Sequence, residues 1–161
     1  MKYTQAGADS IPQLVSMRIE YIRDDHGSLD AADEQIMRSR LPDYFERHLG
    51  RDLFAFIAEE NDTVVATALL LIIEKPSNPN FISGFVGNVL NVYTLPEYRR
   101  QGISTMLMEQ LIAFARQRGL DFLELSATDV GYPMYRRIGF VRHESPYTPM
   151  RLVLQDAGKR I

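Results

Sequence analysis

The chain contains no cysteine. Disulfides, thiolate nucleophiles and cysteine-bound metals are therefore excluded from any account of its stability or chemistry. Nowhere does an apolar run approach the ~20 residues that a helix needs to cross a bilayer. The opening Met1-Lys2-Tyr3-Thr4 has none of the apolar stretch of a secretory signal. The expectation is a cytoplasmic protein without a membrane partner. A basic stripe is also missing: 18 Lys and Arg stand scattered against 21 Asp and Glu, for a formal charge of -3. Nucleic acid, which usually requires a clear basic footprint, is not an expected partner. The histidines, His26, His48 and His143, are too widely separated to show a ligand spacing, and no metal is expected.

What is present is the ordinary balance of a globular protein, 45% hydrophobic and 24% charged. Residues 1–161 read as a single domain with one core, without internal repeat or linker. Tyr3–Ala6 reads as a short edge strand. Ser10-Ile11-Pro12-Gln13 has the form of a helix start, with a capping serine, a first-turn proline and a glutamine three residues on. Ile11, Leu14, Val15, Arg18, Ile19 and Ile22 then give a face that is apolar except at Arg18. A second helical pattern covers about Asp30 to Leu49, with Pro42 expected to kink or divide it. From Leu53 the pattern turns strand-like: Leu53–Glu59, a tight turn at Asn61-Asp62, then a β-branched run over Thr63–Ile73. After a loop at Pro76–Asn80, Val86–Thr94 reads as a strand stopped by Pro96. Ser104–Arg118 reads as a helix whose stripe is Ile103, Leu107, Leu111 and Phe114, ended by Gly119. Phe122–Ala127 is predicted as a strand, Pro133–Arg137 as a short helix, and Phe140–His143 and Met150–Leu154 as two final strands. The sum is a mixed α/β sheet with strand-helix-strand order in its middle.

The most informative segment is Val92-Tyr93-Thr94-Leu95-Pro96-Glu97-Tyr98-Arg99-Arg100-Gln101-Gly102-Ile103-Ser104-Thr105. It joins a strand to the start of an amphipathic helix through a short basic turn. Backbone N–H groups and the positive end of the helix dipole converge there, as a pyrophosphate requires. Gly102 permits close approach or a positive φ, and Arg99 and Arg100 bring charge. The turn has neither the Gly-Lys-Ser/Thr ending of a triphosphate loop nor the three glycines of a dinucleotide turn. From the glycine and arginines alone, a surface connection that happens to carry two arginines fits equally well.

Arg99-Arg100-Gln101-Gly102-Ile103-Ser104, after Pro96-Glu97-Tyr98, resembles the Arg/Gln-x-x-Gly-x-Gly/Ala signature of the GNAT superfamily of acyl-CoA N-acyltransferases. Ser104 is the departure, where the family prefers glycine or alanine. The likeness extends to Tyr135-Arg136-Arg137-Ile138-Gly139-Phe140 and covers roughly residues 53–154. It implies a GNAT-type sheet, mostly antiparallel, with flanking helices and a splayed parallel pair of strands, Val86–Thr94 and Phe122–Ala127, that holds the pantetheine arm of acetyl-CoA. By the same likeness, the backbone of Val92 and Thr94, flanking Tyr93, pairs with the pantetheine amides. The Val92 N–H faces the thioester carbonyl, where it would stabilise a tetrahedral intermediate as an oxyanion hole does. The amides of Arg100, Gln101, Gly102, Ile103, Ser104 and Thr105 hold the pyrophosphate.

Acetyl transfer needs a neutral amine, a polarised thioester and a proton for the departing thiolate. Tyr135, four residues before Gly139-Phe140, occupies the position where the family commonly places a tyrosine acid. Glu124 is the candidate base, on the strand face opposite Leu123 and Leu125 by alternation; the same residue also reads as a solvent-facing charge. Asp129 stands where relatives have an asparagine that touches the cofactor. Asn88 and Asn91 either bind substrate or form a bulge. Glu20, Asp24, Asp25 and His26 end the first helix, as an acidic rim that draws in a cationic amine or as a solvated helix end. The function implied is transfer of acetyl from acetyl-CoA to a primary amine of a small molecule or peptide, by direct attack in a ternary complex. A non-catalytic acyl-CoA sensor or an interaction domain with the same fold is the alternative. A homodimer is expected, paired through the late strand Met150–Leu154.

Overall fold

The computed structural model describes residues 1–155. A five-stranded sheet lies between two helical layers, with its strands in chain order: β1 (Lys2–Gln5), β2 (Leu53–Glu60), β3 (Thr63–Glu74), β4 (Phe85–Thr94) and β5 (Leu123–Glu124). Neighbours pair antiparallel except β4 and β5, which run parallel. Helices α1 (Ile11–His26) and α2 (Ala31–His48) follow β1, α3 (Ile103–Gln117) lies between β4 and β5, and α4 (Tyr132–Arg137) follows β5.

The alternation of β2 decides which helix packs where. Leu53, Ala55 and Ile57 join Leu14, Val15, Ile19 and Phe45 in a core on the α1–α2 side. Phe54, Phe56 and Ala58 join Leu107, Met108 and Leu111 on the α3 side. Both faces being covered, the strand carries apolar residues at nearly every position. The β2–β3 connection is a two-residue hairpin in which Asn61 and Asp62 both take positive φ, 49° and 60°, as the type I′ geometry demands.

The helix starts differ from expectation. Ser10 does not cap α1; it closes a 3₁₀ turn over Ala8–Ser10 that runs straight into the helix. Gln13 does not fold back either. Its side chain accepts from the Val64 N–H at 2.6 Å and donates to the Asp62 carbonyl at 3.3 Å, tying α1 to the β2–β3 hairpin. Asp30 caps α2 through the Ala32 N–H at 2.8 Å, and Pro42 does not divide that helix.

The C-terminal expectations are corrected more deeply. The strand read over Phe122–Ala127 shrinks to Leu123–Glu124, and neither Phe140–His143 nor Met150–Leu154 forms a strand. A strand needs a ladder partner, and among the described residues this stretch has none. Apart from Phe140, which packs against the α3-side core, its apolar side chains stay exposed, Met150 at 93% and Leu154 at 85%.

Candidate active site

The site is built where β4 loses one neighbour. Gly87 pairs with Leu123 and Asn88 with Glu124, and the pairing goes no further. From Val89 to Thr94 that edge of β4 faces no strand among the described residues. Contact at the closed end is tight because Gly87 lacks a side chain: a Cβ there would lie 2.6 Å from Leu123 Cδ2 and 2.7 Å from Leu70 Cδ1.

On its other edge β4 bulges. Thr67 pairs with Tyr93 and Leu69 with Leu90, so Asn91 and Val92 together oppose Ala68. Asn91 is the bulge residue, buried and at φ 51°. Its Nδ2 donates to Thr67 Oγ1 at 2.9 Å, and the Thr67 hydroxyl donates to the Asn91 carbonyl at 3.0 Å. This bond pair fixes the irregularity, and Val92 follows it with no cross-strand partner on either side.

Beyond β4, a 3₁₀ turn over Pro96–Tyr98 leads to Arg100 at φ 62° and Gly102 at φ 77°, and Gly102 opens α3. Glycine has no side chain to cap a helix, so the N–H groups of Ile103, Ser104 and Thr105 keep no partner among the described residues. With the helix dipole behind them, these donors fit a diphosphate. Ser104 bonds Thr94, hydroxyl to hydroxyl at 2.7 Å, fastening the end of β4 to the start of α3. Arg99 turns away from the turn's open side. Its Nε donates to the Thr94 carbonyl at 2.9 Å, its Nη2 donates to Asp24, and its guanidinium lies 5.5 Å from the Tyr93 ring centre. Arg100 and Gln101 remain exposed.

Helix α1 supplies the opposite wall. Arg18, Tyr21 and Asp24 follow at three-residue steps and share one face. Arg18 Nη1 donates to Asn91 Oδ1 at 3.2 Å, and its guanidinium stands 5.5 Å from the Tyr21 ring centre. Burial draws the Arg18 pKa below its ordinary value. Tyr21 meets Tyr93 edge-on at 6.1 Å. Asp24 accepts from the Tyr93 hydroxyl at 3.1 Å as well as from Arg99, and the Arg99 guanidinium holds its carboxyl below the usual range. Burial first, and the Asp24 carboxylate second, push Tyr93 up to about 12.

Tyr135, on α4, packs with Phe140 against the α3-side core, the two rings edge-on at 5.9 Å. Burial, with a smaller contribution from Tyr21, pushes its phenol up to about 12. Tyr21 belongs to the core on the other side of the sheet. Glu124 is exposed at the point where β4 and β5 part, in register with Asn88, while Leu123 and Leu125 pack into the α3-side core. Asp129 lies exposed in the loop before α4, where Thr128 Oγ1 accepts from the Gly131 N–H at 3.1 Å.

Val92, Thr94 and residues 99–105 are expected on one continuous strand-turn-helix unit, and the structure keeps them together. The sequence pattern sets Arg18 within an apolar helix face and does not single out Tyr21. The available signal was that one charge inside the stripe. The acidic rim is largely consumed by arginines, Glu20 by Arg23 and Asp24 by Arg99, while His26 sits 3.8 Å from Asp25. A groove of about 830 Å³ between α1 and α2, lined by residues including Pro12, Ser16, Arg38 and Pro42, shares no residue with the site.

The parallel strand pair thus opens onto an uncapped helix start. The profile of the Acetyltransferase (GNAT) family matches residues 17–140, and the chain belongs to that family. A predicted acetyltransferase from Clostridium acetobutylicum, in a crystal structure with acetyl-CoA, is 30% identical, with a TM-score of 0.80 over 93% of this chain and 95% of that one. A GCN5-related N-acetyltransferase from Ralstonia eutropha is 26% identical, with a TM-score of 0.76 over 92% and 97%. Among curated proteins, an aminoglycoside N(6')-acetyltransferase type 1 of Acinetobacter genomosp. 13 is 33% identical over 53% of this chain. A glucosamine 6-phosphate N-acetyltransferase of Trypanosoma brucei brucei is 29% identical over 55%. The match spans only about three fifths of either relative's length, 60% and 58%.

Proposed function

We propose that the chain is an N-acetyltransferase that moves the acetyl group of acetyl-CoA to a primary amine of a small molecule or peptide. One observation carries this reading: the open edge of β4 from Val89 to Thr94 leads directly to the bare N-terminus of α3. That gives a slot of backbone donors and acceptors ending in an anion site, matching in order an amide-bearing arm joined to a diphosphate. Acetyl-CoA supplies the acyl group as a thioester.

In this reading the backbone N–H groups of residues 100–105 hold the diphosphate, and the backbone of Val92 and Thr94 pairs with the arm. The Val92 N–H, released from ladder duty by the bulge at Asn91, faces the thioester carbonyl and polarises it. Glu124 stands at the throat of the slot and takes the proton that the amine sheds. Tyr135 keeps its proton in an apolar setting and donates a hydrogen bond to the sulfur. Arg99 contributes by fastening the turn, not by meeting phosphate, and Asp129 lies near the arm. The attack is direct, within a ternary complex.

The two curated relatives are named for amine acceptors, which supports an amine here. Among the described residues no helix is long and apolar enough to cross a membrane, and a cytoplasmic protein is part of the proposal. The exposed apolar residues of the segment 141–155 support a homodimer paired through it.

The test is a screen for release of CoA thiol across polyamines, amino acids, aminoglycosides, amino sugars and peptides. Release with at least one amine class is the expected result. Saturable acetyl-CoA binding with no release across the panel would make the chain a binding module instead.

A further inference from the structure

Arg18 differs from the arginines around it. Arg23, Arg38, Arg47 and Arg99 each meet a carboxylate. Arg18 is set within the apolar face of α1 and meets none among the described residues; its contacts are one carboxamide oxygen and one ring face. A guanidinium carries five N–H donors in a rigid fork, and the Asn91 bond uses one of them. Placing such a charge in a partly apolar wall without a counter-charge costs free energy, as the downward pull of burial on its pKa reflects. Asp25 offsets only a small part of this cost from a distance, and none of the nearby carboxylates bonds Arg18 among the described residues. Glu20 is taken by Arg23, Asp24 by Arg99 and Tyr93, and Asp25 lies toward His26.

The position matters as much as the charge. Asn91 is the bulge residue, and the next residue, Val92, carries the N–H assigned above to the thioester carbonyl. A group seated on Arg18 therefore stands beside the reacting centre, on the α1 side from which an acceptor must enter.

We infer that the acceptor amine carries an oxyanion, a carboxylate or a phosphate, which is bound by Arg18. This rests on the N-acetyltransferase reading and narrows it to compact acceptors whose amine lies a short chain from the oxyanion. The fork geometry suits two-point contact with either oxyanion. The same guanidinium also disfavours a second positive charge nearby, which lowers the pKa of the bound amine and raises its nucleophilic fraction.

The experiment compares acceptors matched in their amine and differing in the oxyanion: phosphoethanolamine with ethanolamine, glycine with glycinamide, tyrosine with tyramine. For at least one pair, wild-type kcat/KM is expected to favour the oxyanion-bearing member tenfold or more. The phosphate and carboxylate pairs report separately which oxyanion fits. In Arg18→Met, with folding checked by Tm, that ratio should collapse toward one through a raised KM for the oxyanion-bearing member; Arg18→Lys should retain part of it. Wild-type ratios near one in every pair, or a ratio that survives in Arg18→Met, overturn the inference and leave the N-acetyltransferase reading standing. No transfer to any amine by protein that binds acetyl-CoA removes that reading, and this inference with it.

Discussion

Tyr135 holds its proton far above the pH of any ordinary assay, because burial disfavours the phenolate and pushes the group up to about 12. An alkyl thiol titrates near ~8.5, so complete transfer from this phenol to a thiolate is uphill. What the residue can offer is a fixed hydrogen bond to developing negative charge. Tyr135→Phe keeps the ring and its packing on Phe140, and acetyl-CoA affinity should be nearly unchanged. The expected fall in kcat is roughly 10- to 1000-fold, toward the lower part of the range for a lost acid. The sign of the pH effect follows from the raised value. The phenol is neutral throughout neutral and mildly alkaline pH, so any high-pH limb below about 11 belongs to another group and should persist in the mutant. Wild-type turnover by Tyr135→Phe would remove the phenol from this role, and loss of that limb would instead make Tyr135 the titrating acid. Gly102 is the other residue whose chemistry is conformational. At φ 77° its Cβ position is open, so a side chain would be strained by the backbone and would project where a diphosphate must approach. Gly102→Val should weaken acetyl-CoA binding at least tenfold, or ~1.4 kcal/mol, in calorimetry on folded protein. Gly102→Asn should lose less, because asparagine tolerates left-handed φ.

At the scale of elements, the slot depends on β4 and β5 being held together at one end only. Gly87 is the hinge of that arrangement. Gly87→Ala drives a methyl group into Leu123 and Leu70 at once and should destabilise the protein by about 1–3 kcal/mol, read as a lowered urea midpoint. It should also weaken acetyl-CoA binding, since β5 and Glu124 are displaced together. An unchanged midpoint would mean that the leucine side chains give way freely. The element boundaries that the sequence discloses are those with a local cause. Asn61-Asp62 demands a tight turn, Gly119 ends α3, and the two-sided core explains the unbroken apolar run of β2. Spacing alone sets Gln13 in a capping box, because it cannot reveal a partner fifty residues away in the hairpin. Asn91 left two readings open, and its bulge is legible only once Thr67 is seen beside it.

At the scale of the molecule, the strand-helix-strand order in the middle of the chain and the strand-turn-helix at residues 92–105 are legible in the sequence, because both rest on contiguous patterns. The acceptor wall is not. Arg18, Tyr21 and Asp24 acquire meaning through Asn91, Tyr93 and Arg99, some seventy residues further along the chain. The strands expected over Phe140–His143 and Met150–Leu154 also fall at this scale. A strand exists only against a partner, and Val141, Met150, Leu152, Val153 and Leu154 remain exposed among the described residues. A dimer mass by light scattering at micromolar concentration is expected, with Leu152→Asp and Leu154→Asp together shifting it toward monomer. A monomeric wild type at those concentrations would remove the paired-strand proposal.

The bond from Asp24 to Arg99 joins α1, the wall proposed for the acceptor, to the turn proposed for the diphosphate. This ion pair gives the two proposed sites a route to couple: whatever settles the turn acts on the end of α1, and the effect is reciprocal. Occupancy of one side should therefore tighten the other by an equal factor. Asp24→Asn keeps the shape, weakens the strut and should bring that factor toward one, measured as acetyl-CoA dissociation constants with and without acceptor. In kinetic terms, the wild type's KM for each substrate should fall as the other approaches saturation, and in the variant the two should be nearly independent.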